Sequence, residues 1–197
     1  MIWLLCDYGE VISLPQPLSD QLALEEEVGR FGPEFWRTYW QHRPGYDRGD
    51  TEVAEYWYSV LGFRPARRRL ERLIELDIAG WLHPNPASLA AAARVAERGL
   101  RLAILSNAPH EVADAIDDAA WAGLFSPRLF SCRLRATKPE QEVYVAALQA
   151  LDTVPSQITF FDDRRENVCA ARRAGMSAHV FSDPRQIDVI TTSSPAL

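Results

Sequence analysis

The sequence predicts a doubly wound, mainly parallel α/β sheet with a helical bundle inserted after its first strand. Three observations carry that reading. Residues 2–6 form a short continuous apolar run, the pattern of a strand covered on both faces. Residues 17–81 then carry helical punctuation with no strand between. From residue 86 onward, strand-like apolar runs alternate with helical stretches, which calls for crossover connections in a parallel sheet. The first strand is far from the others in sequence, so the bundle interrupts the sheet. The expected division is a core of residues 1–14 and 85–197 with an inserted cap of residues 15–84.

The elements follow in order. Pro15 and Pro17 close off the first strand. Ser19 is placed to cap a helix that Gly29 ends, with Asp20 in its first turn. Pro33 suits the first position of a second helix over 34–42, and Gly45 and Gly49 bracket a turn. Asp50 or Thr51 caps a third helix that Gly62 ends. Pro65 opens a fourth over 66–77. Trp36, Tyr39, Trp40, Trp57 and Tyr58 recur at helical spacing, which reads as bundle core. In the remainder, helices are expected over 86–98, 109–119, 139–151 and 164–174. Strands are expected over 102–105, 128–132, 158–161 and 178–181.

Composition narrows the function. The chain has 197 residues, 47% of them hydrophobic and 24% charged, enough for a sizeable core. A net charge of −6 argues against nucleic-acid binding, which needs a basic face to displace counterions. Arg67, Arg68 and Arg69 read as a solvated helix face. Cys6, Cys132 and Cys169 are too scattered for a disulfide framework or zinc site, so a reducing, cytoplasmic setting is expected. The initial apolar run has neither the basic flank nor the length of a signal peptide or membrane span.

In open α/β sheets, ligands sit outside the carboxyl ends of the strands. Asp7 follows the first strand, Ser106 and Asn107 the second, and Asp162 and Asp163 the fourth, while Lys138 precedes a helix. Singly, these are ordinary turn or capping residues. In this order at successive strand ends, they read as one site. Clustered carboxylates repel one another unless a cation holds them, and hard oxygen ligands select magnesium. An aspartate can attack phosphorus and carry an acyl phosphate. A lysine, a hydroxyl and backbone N–H groups can hold the remaining phosphate oxygens.

These residues resemble the motifs of the haloacid dehalogenase-like hydrolases. Asp7-Tyr8-Gly9-Glu10-Val11 resembles the first motif and Leu105-Ser106-Asn107 the second. Lys138-Pro139 followed by Tyr144 resembles the third, and the run from Phe160 through Asp162-Asp163 to Asn167 the fourth. The subclass with a helical cap carries it between the first two motifs, as here. The resemblance implies a Rossmann-like core, a small phosphorylated metabolite as partner, Mg2+ as cofactor and no membrane or nucleic-acid role. It implies that Asp7 is nucleophile and metal ligand, that the Gly9 carbonyl and Asp163 are direct ligands, and that Asp162 acts through water. Ser106 and the N–H of Asn107 hold phosphate, Lys138 neutralises nucleophile and phosphate, and Asn167 orients the metal loop.

One position departs from the pattern. Phosphatases of this family usually carry a second Asp two residues after the nucleophile, which handles the leaving-group proton. This chain has Gly9 there. Glu10, His110 or a cap residue could take that role instead. Arg43, Tyr46, Asp47 and Arg48, read as a cap turn, are either substrate-facing or plain turn residues. Three functions follow: hydrolysis of small phosphate monoesters such as sugar phosphates, metal-independent carbon–halogen hydrolysis through Asp7, or phosphate-ligand binding with little turnover.

Overall fold

The computed structural model describes residues 2–189; Met1 and 190–197, which the expected core includes, lie outside the described residues. Five strands form one sheet: β1 (Trp3–Cys6), β2 (Arg101–Ser106), β3 (Arg128–Phe130), β4 (Ile158–Asp162) and β5 (Ser177–Val180). Their order is β3-β2-β1-β4-β5, and every pairing is parallel, as the sequence predicts. β1 lies in the middle, with Cys6 level with Ile104 on one side and Phe161 on the other. The winding reverses there, so the carboxyl ends of β1, β2 and β4 open on one crevice.

The helices in chain order are α1 (Leu18–Val28), α2 (Pro33–Asp47), α3 (Val53–Leu61), α4 (Arg67–Trp81), α5 (Pro86–Glu97), α6 (His110–Asp117), α7 (Ser131–Leu134), α8 (Gln141–Leu151), α9 (Arg165–Arg173) and α10 (Arg185–Val189). Side chains alternate across β1, so both faces are apolar. Leu4 and Cys6 pack with residues of α5, α6 and α10 on one face. Trp3 and Leu5 pack with residues of α8 and α9 on the other. Helices α1 to α4 have a separate cluster around Phe35, Tyr39, Tyr46, Tyr56, Trp57 and Leu73. Of the expected aromatic stripe, Tyr39 and Trp57 are fully buried, whereas Trp40 and Tyr58 are about half exposed. The two chain segments entering and leaving the bundle run side by side. Leu14 N–H donates to the His83 carbonyl at 2.7 Å, Asn85 N–H to the Ile12 carbonyl at 2.8 Å, and Ser13 pairs antiparallel with Pro84.

Several elements differ from expectation. α2 does not stop near His42 but runs through Pro44 and Gly45 to Asp47, so Arg43, Tyr46 and Asp47 are helical rather than in a turn. A proline inside a helix costs about 3 kcal/mol; packing of the buried Tyr46 ring and the pairing of Arg43 with Asp47 and Asp77 on and beside the same segment oppose it. β3 ends at Phe130, and Ser131 and Cys132 already belong to α7. The short α10 and the wide kinked turn Tyr8–Ile12 have no counterpart in the sequence reading. Arg67 is exposed and pairs with Glu71 along α4, as a solvated face should, but Arg69 Nη2 donates to the carbonyls of Glu27 and Val28 on α1. Among the described residues, no helix is long and apolar enough to cross a membrane.

Candidate active site

Asp7 sits one residue beyond β1, where the ladder still holds it: its N–H donates to the Phe161 carbonyl on β4 at 2.8 Å. The next residues leave the sheet in the kinked turn, which requires φ +54° at Glu10, a left-handed conformation for a residue with a side chain. Such strain of the order of 1 kcal/mol persists where surroundings over-determine the backbone, commonly at working sites. The turn brings Tyr8 N–H onto Asp7 Oδ1 at 2.6 Å. Gly9 has an ordinary extended backbone, and nothing lies within 4 Å of the position a Cβ would take there.

Lys138 reaches into the crevice with its ammonium shared between two carboxylates, 2.8 Å from Asp7 Oδ1 and 2.7 Å from Asp162 Oδ2. A two-point clasp fixes its backbone. Asn107 Nδ2 donates to the Lys138 carbonyl at 2.9 Å, and Lys138 N–H donates to Asn107 Oδ1 at 2.8 Å. The Asn107 side chain therefore positions Lys138. Asp162 is completely buried. Besides Lys138 it accepts from Arg164 N–H at 2.9 Å and from Asn167 Nδ2 at 2.9 and 3.0 Å. Asn167 is in turn held by Tyr144, whose hydroxyl donates to the Asn167 carbonyl at 2.9 Å.

Oxygen atoms of Asp7, Asp162 and Asp163 come within 4.8 Å of one another. Burial raises the Asp7 carboxyl to about 7, with Asp162 and Asp163 adding to the rise and Lys138 opposing it. Asp163 is also raised, by burial first and then by Asp162 and Glu10. Burial disfavours the Lys138 charge, but Asp7 and Asp162 outweigh it and keep the ammonium protonated. With all three carboxylates deprotonated, one ammonium would leave two negative charges, the deficit that a divalent cation fills. Asn167 Oδ1 is buried without a hydrogen-bond partner. An orphaned acceptor beside an all-oxygen donor set fits a hydrated cation such as magnesium. Burial pushes the neighbouring Cys6 thiol far up, so it offers no thiolate.

The cavity above these groups encloses about 210 Å³. Asp7, Gly9, Glu10, Ser106, Asn107, Lys138, Asp163 and Asn167 line it from the core. Asp162 lies behind Lys138 and does not. From the bundle, Trp40, Arg43, Asp47 and Trp81 form its roof, and the same hollow continues outward past Pro44 and Thr137. Tyr46 and Arg48 do not face the cavity. Tyr46 donates to Glu111 at 2.7 Å and Arg48 pairs with Glu140, so both fasten the bundle to the core. His110 is exposed, with Nε2 directed at Gly49, and lines no part of the cavity. The sequence reading missed Asp77, which joins Arg43, Asp47 and Tyr39 in a buried network under the roof. A carboxylate near the end of a helix carries no local signal that it will be buried.

A family model described as haloacid dehalogenase-like hydrolase matches residues 12–175, a span that begins after Asp7. A phosphorylated carbohydrates phosphatase of Thermotoga maritima is 27% identical over 48% of this chain and 44% of that protein. A phosphatase of Mycobacterium tuberculosis is 30% identical over 56% of this chain and 52% of that protein. The chain thus spans about half the length of these curated relatives. A HAD-family enzyme of Bacteroides thetaiotaomicron, crystallised in complex with magnesium and inorganic phosphate, superposes with a TM-score of 0.74 at 17% identity. That match covers 91% of this chain and 93% of the other, and it is a likeness of fold.

Proposed function

The chain belongs to the haloacid dehalogenase-like hydrolases, and from that premise we propose that it hydrolyses small phosphate monoesters with magnesium through a phosphorylated Asp7. The observation that carries this reading is the meeting of Asp7, Asp162 and Asp163 with Lys138 at adjacent strand ends. Asp7, the Gly9 carbonyl and Asp163 are the direct ligands of the ion. Asp162, its oxygens already taken by three donors, acts at one remove, and Asn167 holds it in place. When bound, the ion neutralises the phosphate and polarises its oxygens.

The chain's own groups do the rest. Tyr8 N–H and Lys138 both engage Asp7 Oδ1, which leaves Oδ2 to attack phosphorus. Ser106, the Asn107 N–H and Lys138 hold the equatorial oxygens as charge moves onto them. Residues 15–84 act as a cap over the core of 1–14 and 85–197, and its roof excludes water. Trp40 and Trp81 beside a carboxylate suit a sugar, whose C–H faces stack on rings while its hydroxyls donate. A relative acting on phosphorylated carbohydrates supports the same class.

Phosphate release from a panel of sugar and aryl phosphates, with magnesium and with chelator, tests the reading. Release that requires magnesium is expected. Turnover of 2-haloacids without metal instead supports the dehalogenase alternative, which the carboxylate cluster and orphaned Asn167 Oδ1 disfavour. Tight phosphate binding without turnover supports a binding or regulatory protein, the reading that Gly9 leaves open.

A further inference from the structure

We propose that Asp47, carried into the site by the cap helix α2, donates the proton to the departing oxygen, the role that Gly9 leaves without a side chain. The inference rests on the phosphatase reading. Asp47 lines both the inner cavity, with Asp7, Lys138 and Ser106, and its outward continuation, with Asn107 and Lys138. It is a carboxyl group that lines from the cap the same cavity that Asp7 lines from the core, within the space an in-line displacement must use.

Its charge environment suits a proton donor. Arg43 is one cation between two carboxylates: Nε lies 2.6 Å from Asp47 Oδ1 and Nη1 3.1 Å from Asp77 Oδ2. Asp77 is sealed and also accepts the Tyr39 hydroxyl at 2.6 Å. Two carboxylates thus share one guanidinium, which leaves neither fully neutralised. Of the two, Asp47 is the one that faces the cavity. Burial, opposed by Arg43 and assisted by Asp77, raises its carboxyl above the ordinary range.

Its position is fixed to the phosphate-holding loop by one hydroxyl. Ser131 Oγ donates to the Asp47 carbonyl at 2.5 Å and accepts Ala108 N–H at 3.0 Å. Ala108 follows Ser106 and Asn107 directly, so the height of Asp47 over that loop is set through a completely buried serine. The rival donors are less well placed. His110 does not line the cavity, and the exposed Glu10 sets its charge against Asp163 on the metal side. In the step itself, an Asp7 oxygen bonds to phosphorus and the phosphorus–ester oxygen bond breaks. The ester oxygen takes the Asp47 proton and departs as a neutral alcohol. Water then attacks the phosphorus, passes a proton to the Asp47 carboxylate, and displaces Asp7 to give inorganic phosphate.

The test is the dependence of kcat/KM on leaving-group pKa across aryl and alkyl phosphates. This quantity reports the first phosphoryl transfer, where the leaving group departs. The wild type is expected to show a shallow dependence. Asp47→Asn is expected to steepen it, lowering the ratio of alkyl to 4-nitrophenyl ester by about 10²–10⁴-fold, the usual contribution of a positioned acid. Asp47→Glu should keep more of the alkyl activity. Because space beside Gly9 is open, Gly9→Asp in the Asp47→Asn background should flatten the dependence again. The assignment is overturned by the same slope in wild type and Asp47→Asn, or by an equal fall on all esters that Gly9→Asp does not rescue. A steep slope in the wild type overturns it even where a variant fails to fold. A wild type that hydrolyses no ester overturns the phosphatase reading and this assignment together, whereas a slope failure with active wild type overturns the assignment alone.

Discussion

Lys138 is the residue on which the site's electrostatics turn. It is the cation between Asp7 and Asp162, and its side chain is 1% exposed. Lys138→Met removes that charge and leaves the carboxylates facing one another. Breaking a buried pair from one side costs about 3–5 kcal/mol, so urea denaturation of the metal-free variant should show a loss of that size. Magnesium should recover part of it by supplying positive charge, while phosphate release stays abolished. A variant as stable as wild type in chelator would mean that the carboxylates are not held by Lys138. Asp7 and Asp162 are legible in the sequence because each stands at the end of an apolar strand, and Lys138 because it precedes a helix in the matching order of motifs. The clasp between Asn107 and Lys138 was not, since its two halves are far apart in sequence and meet only through the sheet.

The elements that matter most are α2 and the kinked turn after β1. α2 carries Arg43 and Asp47 into the roof, and its C-terminal end is fastened to the core through Ser131, Glu111 and Glu140. Ser131→Ala leaves the Asp47 carbonyl and Ala108 N–H without their shared partner. Each unsatisfied buried group costs about 1–3 kcal/mol, so thermal denaturation should register a clear drop. The same variant should lower kcat/KM more on alkyl than on aryl esters. An unchanged melting temperature would show that water replaces the hydroxyl and that the tie is dispensable. The parallel α/β sheet and the helices between its first two strands follow from apolar runs and helix punctuation and are readable in the sequence, whereas the strand order β3-β2-β1-β4-β5 is not. The length of α2 is not, because Pro44 and Gly45 are local stop signals overridden by the packing of Tyr46 and the ion pairs of Arg43. The turn at Tyr8–Ile12 was not either, because Glu10 takes a backbone conformation its residue type disfavours.

At the scale of the whole molecule, the raised Asp7 carboxyl links folding to pH. In the metal-free protein Asp7 keeps its proton up to about pH 7, whereas an unfolded aspartate releases it near 3.9. Between those values the folded state holds more protons than the unfolded one, so stability falls as pH rises through this window. A cation binds only the deprotonated folded site, so magnesium should offset that fall increasingly from pH 5 to 8. Melting temperatures measured across this range in chelator and in magnesium check the sign; curves that remain parallel would show that the ion does not bind at Asp7. The central claim is that Asp7 is the nucleophile, and the most direct measurement is phosphate release by Asp7→Asn in saturating magnesium, beside wild type. The account predicts a variant that folds normally by circular dichroism and hydrolyses 4-nitrophenyl phosphate slower by about 10³-fold or more. A folded Asp7→Asn that retains turnover within about tenfold of wild type contradicts it.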